Sequence, residues 1–271
     1  MYNIVKKELI KLKNDWKSNV LQWFFKTGKW EYGEWDVFLG ITMPQQRKIV
    51  KKYFREISFD DIQKLLESKY HEFRMSGLLC LVYKYDFLNM KNPLVSLYST
   101  KSLNKGGQEQ KSPDEFNENI IPPTPLTKGG CKEKIFDFYV KNLEYVNNWD
   151  LVDVTCPKII WDYLLDKEKD ILYNFAKSEN MWIQRIAIVS TWTLIKNWQF
   201  KDTLKLAEML LNHKHDLIHK ATWWMLRELG KKDKRLLEEF LGKNVKLMPR
   251  TMLRYAIERF GDQERKFWLN K

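Results

Sequence analysis

Apolar side chains recur along this chain at intervals of three and four residues, the period of an α-helix with one buried face. Ile49, Val50, Tyr53 and Phe54 form one such stripe. Segment 78–85 is more apolar than the others and is predicted to be a more buried helix. The segments with a helical period are 49–54, 78–85, 135–146, 186–195 and 204–210.

Glycine and proline, which often end regular elements, are few and concentrated in one window. Of 11 Gly and 8 Pro, four of each lie between residues 101 and 131. Sheets joined by tight turns usually need more glycine than the rest of the chain contains, so the rest is predicted to be helical. The predicted boundaries are at Pro44, Asn92-Pro93, Gly230, Gly242 and Pro249.

Segment 101–131 is the one clear break in the helical pattern. It is rich in Gly, Pro, Ser, Lys, Asn and Gln and has no apolar period. We predict a disordered or flexible insertion at the surface, because such a composition buries too little apolar area to fold. The fold tolerates such an insertion because the entropy of closing a loop grows slowly with its length.

Several helical segments resemble one another. In segments 181–195, 216–230 and 248–260 a basic residue stands beside a small one, as Arg185 does with Ala187. Successive C-terminal segments begin about 35 residues apart, near the length of helical-pair repeats. Stacked helix pairs form a curved solenoid, and the recurring basic residues would make its concave surface positive.

The charge of the chain agrees with such a surface. Its 271 residues include 47 Lys and Arg against 35 Asp and Glu, a formal charge of +12. A row of basic residues along a concave face matches the phosphate backbone of a nucleic acid. A solvated basic face without a partner is the alternative interpretation.

Other features argue against several classes of protein. No stretch approaches the roughly 20 uninterrupted apolar residues of a membrane span, and residues 1–13 do not form a secretory signal. Cys80, Cys131 and Cys156 are odd in number and lack CxxC spacing, which disfavours a disulfide framework and a cysteine zinc site. We therefore expect a cytoplasmic protein without a membrane partner.

The most informative motif is Asn-Asn-Trp-Asp-Leu-Val-Asp at 147–153. Asn148 or Asp150 is a candidate cap at the start of a helix. Trp149 and Asp153 are four residues apart and share one face, so an indole and a carboxylate would face the same ligand. In the alternative interpretation Trp149 belongs to the core, and Asp153 caps a helix or pairs with an arginine.

With this motif in place, the chain resembles the DNA alkylation repair glycosylases built from HEAT-like repeats (the AlkD-like family). The resemblance covers nearly everything outside 101–131 and implies one domain over residues 1–271. It implies an all-α, right-handed superhelical solenoid of HEAT-like antiparallel helix pairs with a positive concave groove. The segments that carry it are GITMPQQRKIVKKYF (40–54), HEFRMSGLLCLVYKY (71–85), NNWDLVD (147–153), WIQRIAI (182–188), HDLIHKATWWMLRE (215–228) and MPRTMLRYAIE (248–258).

This resemblance implies a function and a set of site residues. The family removes cationic alkylated purines, such as 3-methyladenine, 7-methylguanine and bulkier adducts, from duplex DNA. Asp153, Trp149 and Trp224 match its catalytic residues, and Arg185 matches an arginine that grips the DNA backbone. We expect a monomer that uses no metal and no cofactor. Further backbone contacts are expected from Lys220, Arg227, Arg250 and Arg254.

The chemistry suits so small a set of residues. An ordinary glycosidase uses two carboxylates, one of which protonates the leaving group. An alkylated purine is already cationic and leaves as a neutral base, so no general acid is needed. Asp153 alone could stabilise the developing positive charge on the sugar and orient the attacking water.

The chain departs from the family pattern in three places, one of which is the insertion at 101–131 shortly before the 147–153 motif. Trp223 stands where a small residue is common and could narrow the groove or shift Trp224. Gln184 stands where a second arginine is frequent. Two other functions therefore stay open: a non-catalytic HEAT-repeat module that binds damaged or branched DNA, and a protein scaffold. The charge of +12 argues against the scaffold.

Three other groups of residues are expected to have ordinary roles. His213, His215 and His219 are interpreted as solvated or DNA-facing, because a metal site needs three or four ligands. Asp162 and Asp166 are expected at a solvated helix end. Four of the 12 tryptophans, in the N-terminal region, are predicted to pack in the core or between helices: Trp16, Trp23, Trp30 and Trp35.

Overall fold

The structure, a computed structural model, describes residues 1–90 and 128–271. Within these ranges the regular secondary structure is α-helical, apart from a 3-10 turn at Leu143–Tyr145 and an isolated bridge between Val37 and Tyr70. The α-helices are α1 (Tyr2–Ile10), α2 (Asp15–Phe24), α3 (Met43–Tyr53), α4 (Phe59–Leu66), α5 (His71–Met90), α6 (Lys128–Lys141), α7 (Trp149–Leu164), α8 (Asp170–Ala176), α9 (Met181–Val189), α10 (Trp192–Lys196), α11 (Lys201–Leu210), α12 (Asp216–Lys232), α13 (Lys234–Asn244), α14 (Arg250–Ala256) and α15 (Asp262–Leu269).

Helices that are close in the chain pack together. Helices α5, α7, α9, α12 and α14 form a central row in which each packs on the next. Helices α4, α6, α8 and α11 each pack on the member of the row that follows in sequence. This nearest-neighbour packing is that of an α-solenoid and confirms the predicted fold class. The handedness of the superhelix and the charge of its groove stay predictions.

The core follows the central row. One cluster of buried apolar side chains runs from Val5 in α1 to Trp268 in α15. Helix α5 is buried over most of its surface, as its composition predicted, because α3, α4, α6 and α7 all pack against it.

Several predicted boundaries are wrong. Gly230 lies inside α12, where an added Cβ would come within 2.4 Å of Leu237 of α13, so this glycine permits close packing instead of ending a helix. Gly242 lies inside α13, and no packing contact explains it. Residues 128–131 belong to α6 and not to the predicted insertion, of which 101–127 lies outside the described residues.

The four N-terminal tryptophans do not pack in the core or between helices, so that prediction is wrong. The side chains of Trp16, Trp23, Trp30 and Trp35 are 73%, 83%, 86% and 85% exposed. Trp16 and Trp23 project from α2, whose buried residue is Ser18. Trp30 and Trp35 lie in the following loop with φ values of +66° and +77°. This loop is stabilised by its own hydrogen bonds and not by burial of the indoles.

A buried carboxylate fixes the segment before α3. Glu72 of α5 accepts hydrogen bonds from the backbone N–H groups of Leu39, Gly40 and Ile41 at 2.8–3.2 Å. Gly40 has a φ of +80°, and an added Cβ would lie 2.2 Å from the backbone oxygen of Asn14. A larger residue would therefore clash, and the segment is held tightly against α5.

His71 lies between two carboxylates at the start of α5. Its Nδ1 is 3.1 Å from Asp36 Oδ2, and its Nε2 is 2.9 Å from Asp150 Oδ2 in α7. Desolvation lowers the pKa of His71, but Asp150 and Asp36 together outweigh it and raise this pKa to about 9. Burial would raise the pKa of Asp36, yet His71 and Arg74 lower it overall. His71 is therefore an imidazolium that ties α7 to α5.

The raised pKa of His71 predicts a loss of stability at alkaline pH. The folded pKa of about 9 exceeds the unfolded value near 6.5, so the contribution is complete below pH 6.5 and is lost as pH rises through 9. We expect the free energy of unfolding to fall by up to about 3 kcal/mol over this range. Urea unfolding at several pH values measures this decrease in the free energy of unfolding.

Two variants test the assignment to this histidine. His71→Gln should lose most of the alkaline decrease, whereas His213→Gln should keep it, because desolvation lowers the pKa of His213. An equal decrease in wild type and His71→Gln would contradict the assignment. An NMR titration of wild type should also show the His71 imidazole still protonated at pH 8.

Candidate functional site

The site begins at the first turn of α7. Asn148 caps this helix, as expected, by accepting a hydrogen bond from the Trp149 N–H at 2.8 Å. The Asn148 amide also donates to Asp36 at 2.9 Å. Asp150 is not the N-cap residue, but its carboxylate accepts a hydrogen bond from the Leu151 N–H at 2.8 Å and also contacts His71. These bonds fix the position of Trp149 and, one turn later, of Asp153.

Asp153 and Arg185 form a bidentate ion pair between α7 and α9. Arg185 donates from Nε to Asp153 Oδ1 at 2.9 Å and from Nη2 to Oδ2 at 2.7 Å. Its Nη1 donates to the Leu217 carbonyl at 2.6 Å. The arginine side chain is 6% exposed and that of Asp153 is 19% exposed. The structure thus brings together two of the predicted residues, in the pairing that the alternative interpretation foresaw for Asp153.

Burial dominates the protonation of Asp153. Desolvation raises the pKa of this carboxyl above its usual value, although the Arg185 guanidinium acts in the opposite direction. The nearby Asp150 raises it further. The ionised form is therefore less well solvated than a surface carboxylate. Such a group interacts strongly with a positive charge that develops beside it.

Aromatic rings surround Trp149, which is half-buried. Phe25 stacks on it with ring centroids 5.2 Å apart, and Phe24 meets it edge to face at 6.1 Å. The Tyr32 hydroxyl lies close to Trp149, and the Tyr32 ring lies 6.0 Å from that of Trp182. Burial raises the pKa of Tyr32. Electron-rich ring faces of this kind attract cations.

Nothing in the local sequence pattern indicates that Phe25 and Tyr32 belong to the site. Both lie in the segment from Phe24 to Asp36, more than 100 residues before Trp149 in the chain. The density of aromatic residues there was the only available signal. That signal could not place Phe25 or Tyr32, because the sequence gives no register between this loop and α7.

Helix α12 contributes the next predicted residues. Asp216 and Lys220 influence the titration of Tyr32, which places the start of α12 near the site. Lys220 is exposed and pairs with Asp216 at 2.8 Å. Trp224 is half-buried and lies one turn after Lys220 on the same face of the helix. No described contact joins Trp224 directly to Trp149 or Asp153.

The first departure from the expected pattern, Trp223, packs against neighbouring side chains. Its ring stacks on Tyr255 with centroids 4.5 Å apart, and the Arg227 guanidinium lies 4.7 Å from it. It therefore fills space between α12 and α14. At the second departure, Gln184, the amide oxygen is buried and accepts no hydrogen bond from the described residues.

The remaining basic residues lie on the last two members of the central row. Arg227 pairs with Glu258 at 2.6 Å. Arg250 donates to the Leu269 carbonyl, and Arg254 is exposed. No described contact joins these three arginines to Asp153. They lie on the same row of helices as Asp153 and Arg185.

No metal site emerges from the described residues, among which no three His, Cys, Asp or Glu side chains are grouped to hold an ion. His215 instead caps α12 by accepting from the Leu217 N–H at 3.2 Å. Across the described ranges, no helix is both long and apolar enough to cross a membrane. The arrangement is one partly buried carboxylate beside electron-rich rings, which suits stabilisation of a cation.

A solved structure shares this architecture. A predicted DNA alkylation repair enzyme from Enterococcus faecalis matches 93% of this chain over 98% of its own length, with a TM-score of 0.61. The sequence identity is 14%, so this likeness supports the fold alone. No curated protein is significantly similar in sequence.

A comparison of the sequence with family models is more specific. The model for DNA alkylation repair enzymes matches residues 5–105 and 124–260, which is most of the chain and includes Trp149, Asp153, Arg185 and Trp224. The chain therefore belongs to the DNA alkylation repair enzyme family.

Proposed function

We propose that this protein is a monofunctional DNA glycosylase that hydrolyses the N-glycosidic bond of cationic alkylated purines in duplex DNA. Its substrates would be 3-methyladenine, 7-methylguanine and bulkier adducts. The observation that carries the proposal is the partly buried Asp153 carboxylate one turn from the half-buried Trp149. Membership of the DNA alkylation repair family supports alkylated DNA as the substrate.

The reaction needs few groups. The bond from the sugar C1′ to the purine nitrogen breaks, and its electron pair neutralises the cationic base. Water adds to C1′ and loses a proton to Asp153 or to solvent, which leaves an abasic site. Asp153 stabilises the positive charge on the sugar and orients the water. Because the leaving group is already activated, the step uses neither metal nor cofactor.

Trp149 and Trp224 are proposed to flank the cationic nucleotide. An indole face attracts a cation with about 0.5–2 kcal/mol per contact. Phe25 holds the Trp149 ring from one side by stacking on it. Trp224 would approach from α12, which packs directly on α9. The lesion would thus lie over α9, between Trp149 of α7 and Trp224 of α12.

Arg185 is proposed to act both on Asp153 and on DNA. Three of its five N–H donors are already used, two by Asp153 and one by Leu217. The other two remain for a phosphate oxygen at the edge of the site. Lys220, Arg227, Arg250 and Arg254 are proposed as further backbone contacts, because surface ion pairs such as Lys220–Asp216 are weak and phosphates can compete for them.

The second candidate function is a non-catalytic module that binds damaged or branched DNA. The observation in its favour is the pairing of both Asp153 carboxylate oxygens with Arg185. If that pair did not open toward substrate, the protein would bind DNA and release no base.

Base release from duplex DNA carrying 7-methylguanine tests the proposal. We expect wild type to release free 7-methylguanine and Asp153→Asn to be at least 100-fold slower, because removal of one electrostatic stabiliser typically costs this much. Chromatography of the released base over time, with the spontaneous rate subtracted, gives both rates.

Asp166→Asn is the matched control, since Asp166 follows the same helix and is exposed. It should keep the wild-type rate. Circular dichroism and DNA binding should be unchanged in both variants. If wild type binds the duplex but releases neither 7-methylguanine nor 3-methyladenine, the glycosylase proposal is wrong and the binding module replaces it.

The pH dependence of base release follows from the ion pair. Activity needs ionised Asp153, so the rate should fall at acidic pH. Because burial raises the pKa of Asp153, this fall should begin at a higher pH than it would for an ordinary carboxyl group. Arg185 opposes that rise, so Arg185→Gln should move the acidic limb to still higher pH. Single-turnover rates between pH 4.5 and 8 measure the shift. If the rate of Arg185→Gln fell at the same pH as that of wild type, a group other than Asp153 would control the acidic limb.

A further inference from the structure

The protein exposes an unusual set of aromatic rings on α2 and on the loop that follows it. We call the side chains of Trp16, Trp23, Phe24, Trp30 and Trp35 the aromatic shelf. Trp16 and Trp23 lie seven residues apart on one face of α2, and the other members lie at its end or in the loop after it. All five are more than half exposed. Soluble surfaces rarely leave so many large rings in water without a ligand.

The loop that carries Trp30 and Trp35 has a conformation that is fixed by specific contacts. Its carboxylates bind its own backbone, with Glu31 accepting from the Gly28 N–H and Glu34 from the Trp30 N–H, both at 2.9 Å. An added Cβ at Gly33 would lie 2.3 Å from the Phe25 carbonyl oxygen. Both tryptophans adopt left-handed backbone, which costs about 1–2 kcal/mol each. The fold thus holds these rings outward at an energetic cost.

One member of the aromatic shelf adjoins the site. Phe24 meets the Trp149 ring edge to face at 6.1 Å. Trp23, Phe24 and Lys26 line one open cleft of about 460 Å³. A ligand that reached Trp149 could therefore continue onto α2 and the following loop.

The charges beside the aromatic shelf favour a particular ligand. Lys17, Lys26 and Lys29 form no ion pair with any described carboxylate, and the Lys29 ammonium lies 5.3 Å from the Trp30 ring. Exposed rings interleaved with lysines bind unpaired nucleotides, because bases stack on the rings and phosphates pair with the ammonium groups. A fully paired duplex offers no free base faces, since its bases already stack on one another.

We propose that the aromatic shelf binds unpaired nucleotides of DNA adjacent to the nucleotide held at Trp149. This inference rests on the DNA-binding part of the proposed function and extends it from the damaged nucleotide to its unpaired neighbours. The protein would then prefer DNA in which the duplex is locally open.

Fluorescence anisotropy tests this preference with two labelled DNAs at the same salt concentration. One is a fully paired duplex, and the other is the same duplex with a bulge of three unpaired thymidines. Wild type should bind the bulged DNA at least tenfold more tightly, since each stacked base contributes about 1–3 kcal/mol. Trp23→Ala with Trp30→Ala should lose this preference and keep its affinity for the paired duplex.

Trp198→Ala is the matched control, because Trp198 is 63% exposed but lies in a different part of the chain. It should keep the preference. Equal binding of the two DNAs by wild type, or an undiminished preference in the double variant, would overturn the proposal. Two other results would also overturn it: a wild-type dimer in sedimentation velocity, or wild-type binding to anionic lipid vesicles, if the double variant abolished either one. The ligand of the aromatic shelf would then be a second copy of the chain or a membrane.

This experiment is independent of base release. If wild type releases 7-methylguanine but shows no preference for bulged DNA, the proposed function is supported and the role proposed for the aromatic shelf is wrong. If wild type prefers bulged DNA but releases no base, the role proposed for the aromatic shelf is supported and the glycosylase proposal is wrong.

Discussion

The bidentate ion pair between Asp153 and Arg185 joins α7 to α9 at the point where the candidate site lies. A buried pair of charges is costly to desolvate, and its geometry must be good for the attraction to offset that cost. Three sets of contacts hold the start of α7 for this purpose: Asn148 on Asp36, His71 on Asp150, and the arginine itself. The catalytic proposal depends on this arrangement, since a displaced carboxylate could not face the sugar of a bound nucleotide.

The electrostatic environment also explains why one carboxylate is enough for the proposed chemistry. Asp153 is poorly solvated, and a cation between electron-rich rings would be attracted by both the carboxylate and the indoles. The nearby Asp150 is occupied by a protonated His71, so it serves as structural support. Two neighbouring acidic residues on one helix thus have different environments, and we propose different roles for them.

Local patterns were sufficient to predict a helical chain, to limit the cap of α7 to Asn148 or Asp150 and to place Trp149 and Asp153 on one face, because each depends on residues within a turn of one another. The pairing of Asp153 with Arg185, across 32 residues, depends on how α7 packs on α9 and could only be raised as an alternative. The four exposed tryptophans were misassigned because apolar character normally indicates burial. Trp16 and Trp23 instead project from α2, whereas left-handed backbone and internal hydrogen bonds hold the loop that carries Trp30 and Trp35. Gly230 was misassigned because close helix packing and helix ends favour the same residue.

The central claim is that Asp153 stabilises positive charge on the sugar of a nucleotide in this site. The most direct measurement compares the affinity of the protein for two duplexes, one with a cationic pyrrolidine in place of a sugar and one with a neutral tetrahydrofuran. Wild type should bind the cationic duplex at least 100-fold more tightly, which corresponds to about 2.7 kcal/mol, and Asp153→Asn should bind both alike. Equal affinity of wild type for the two duplexes would contradict the claim.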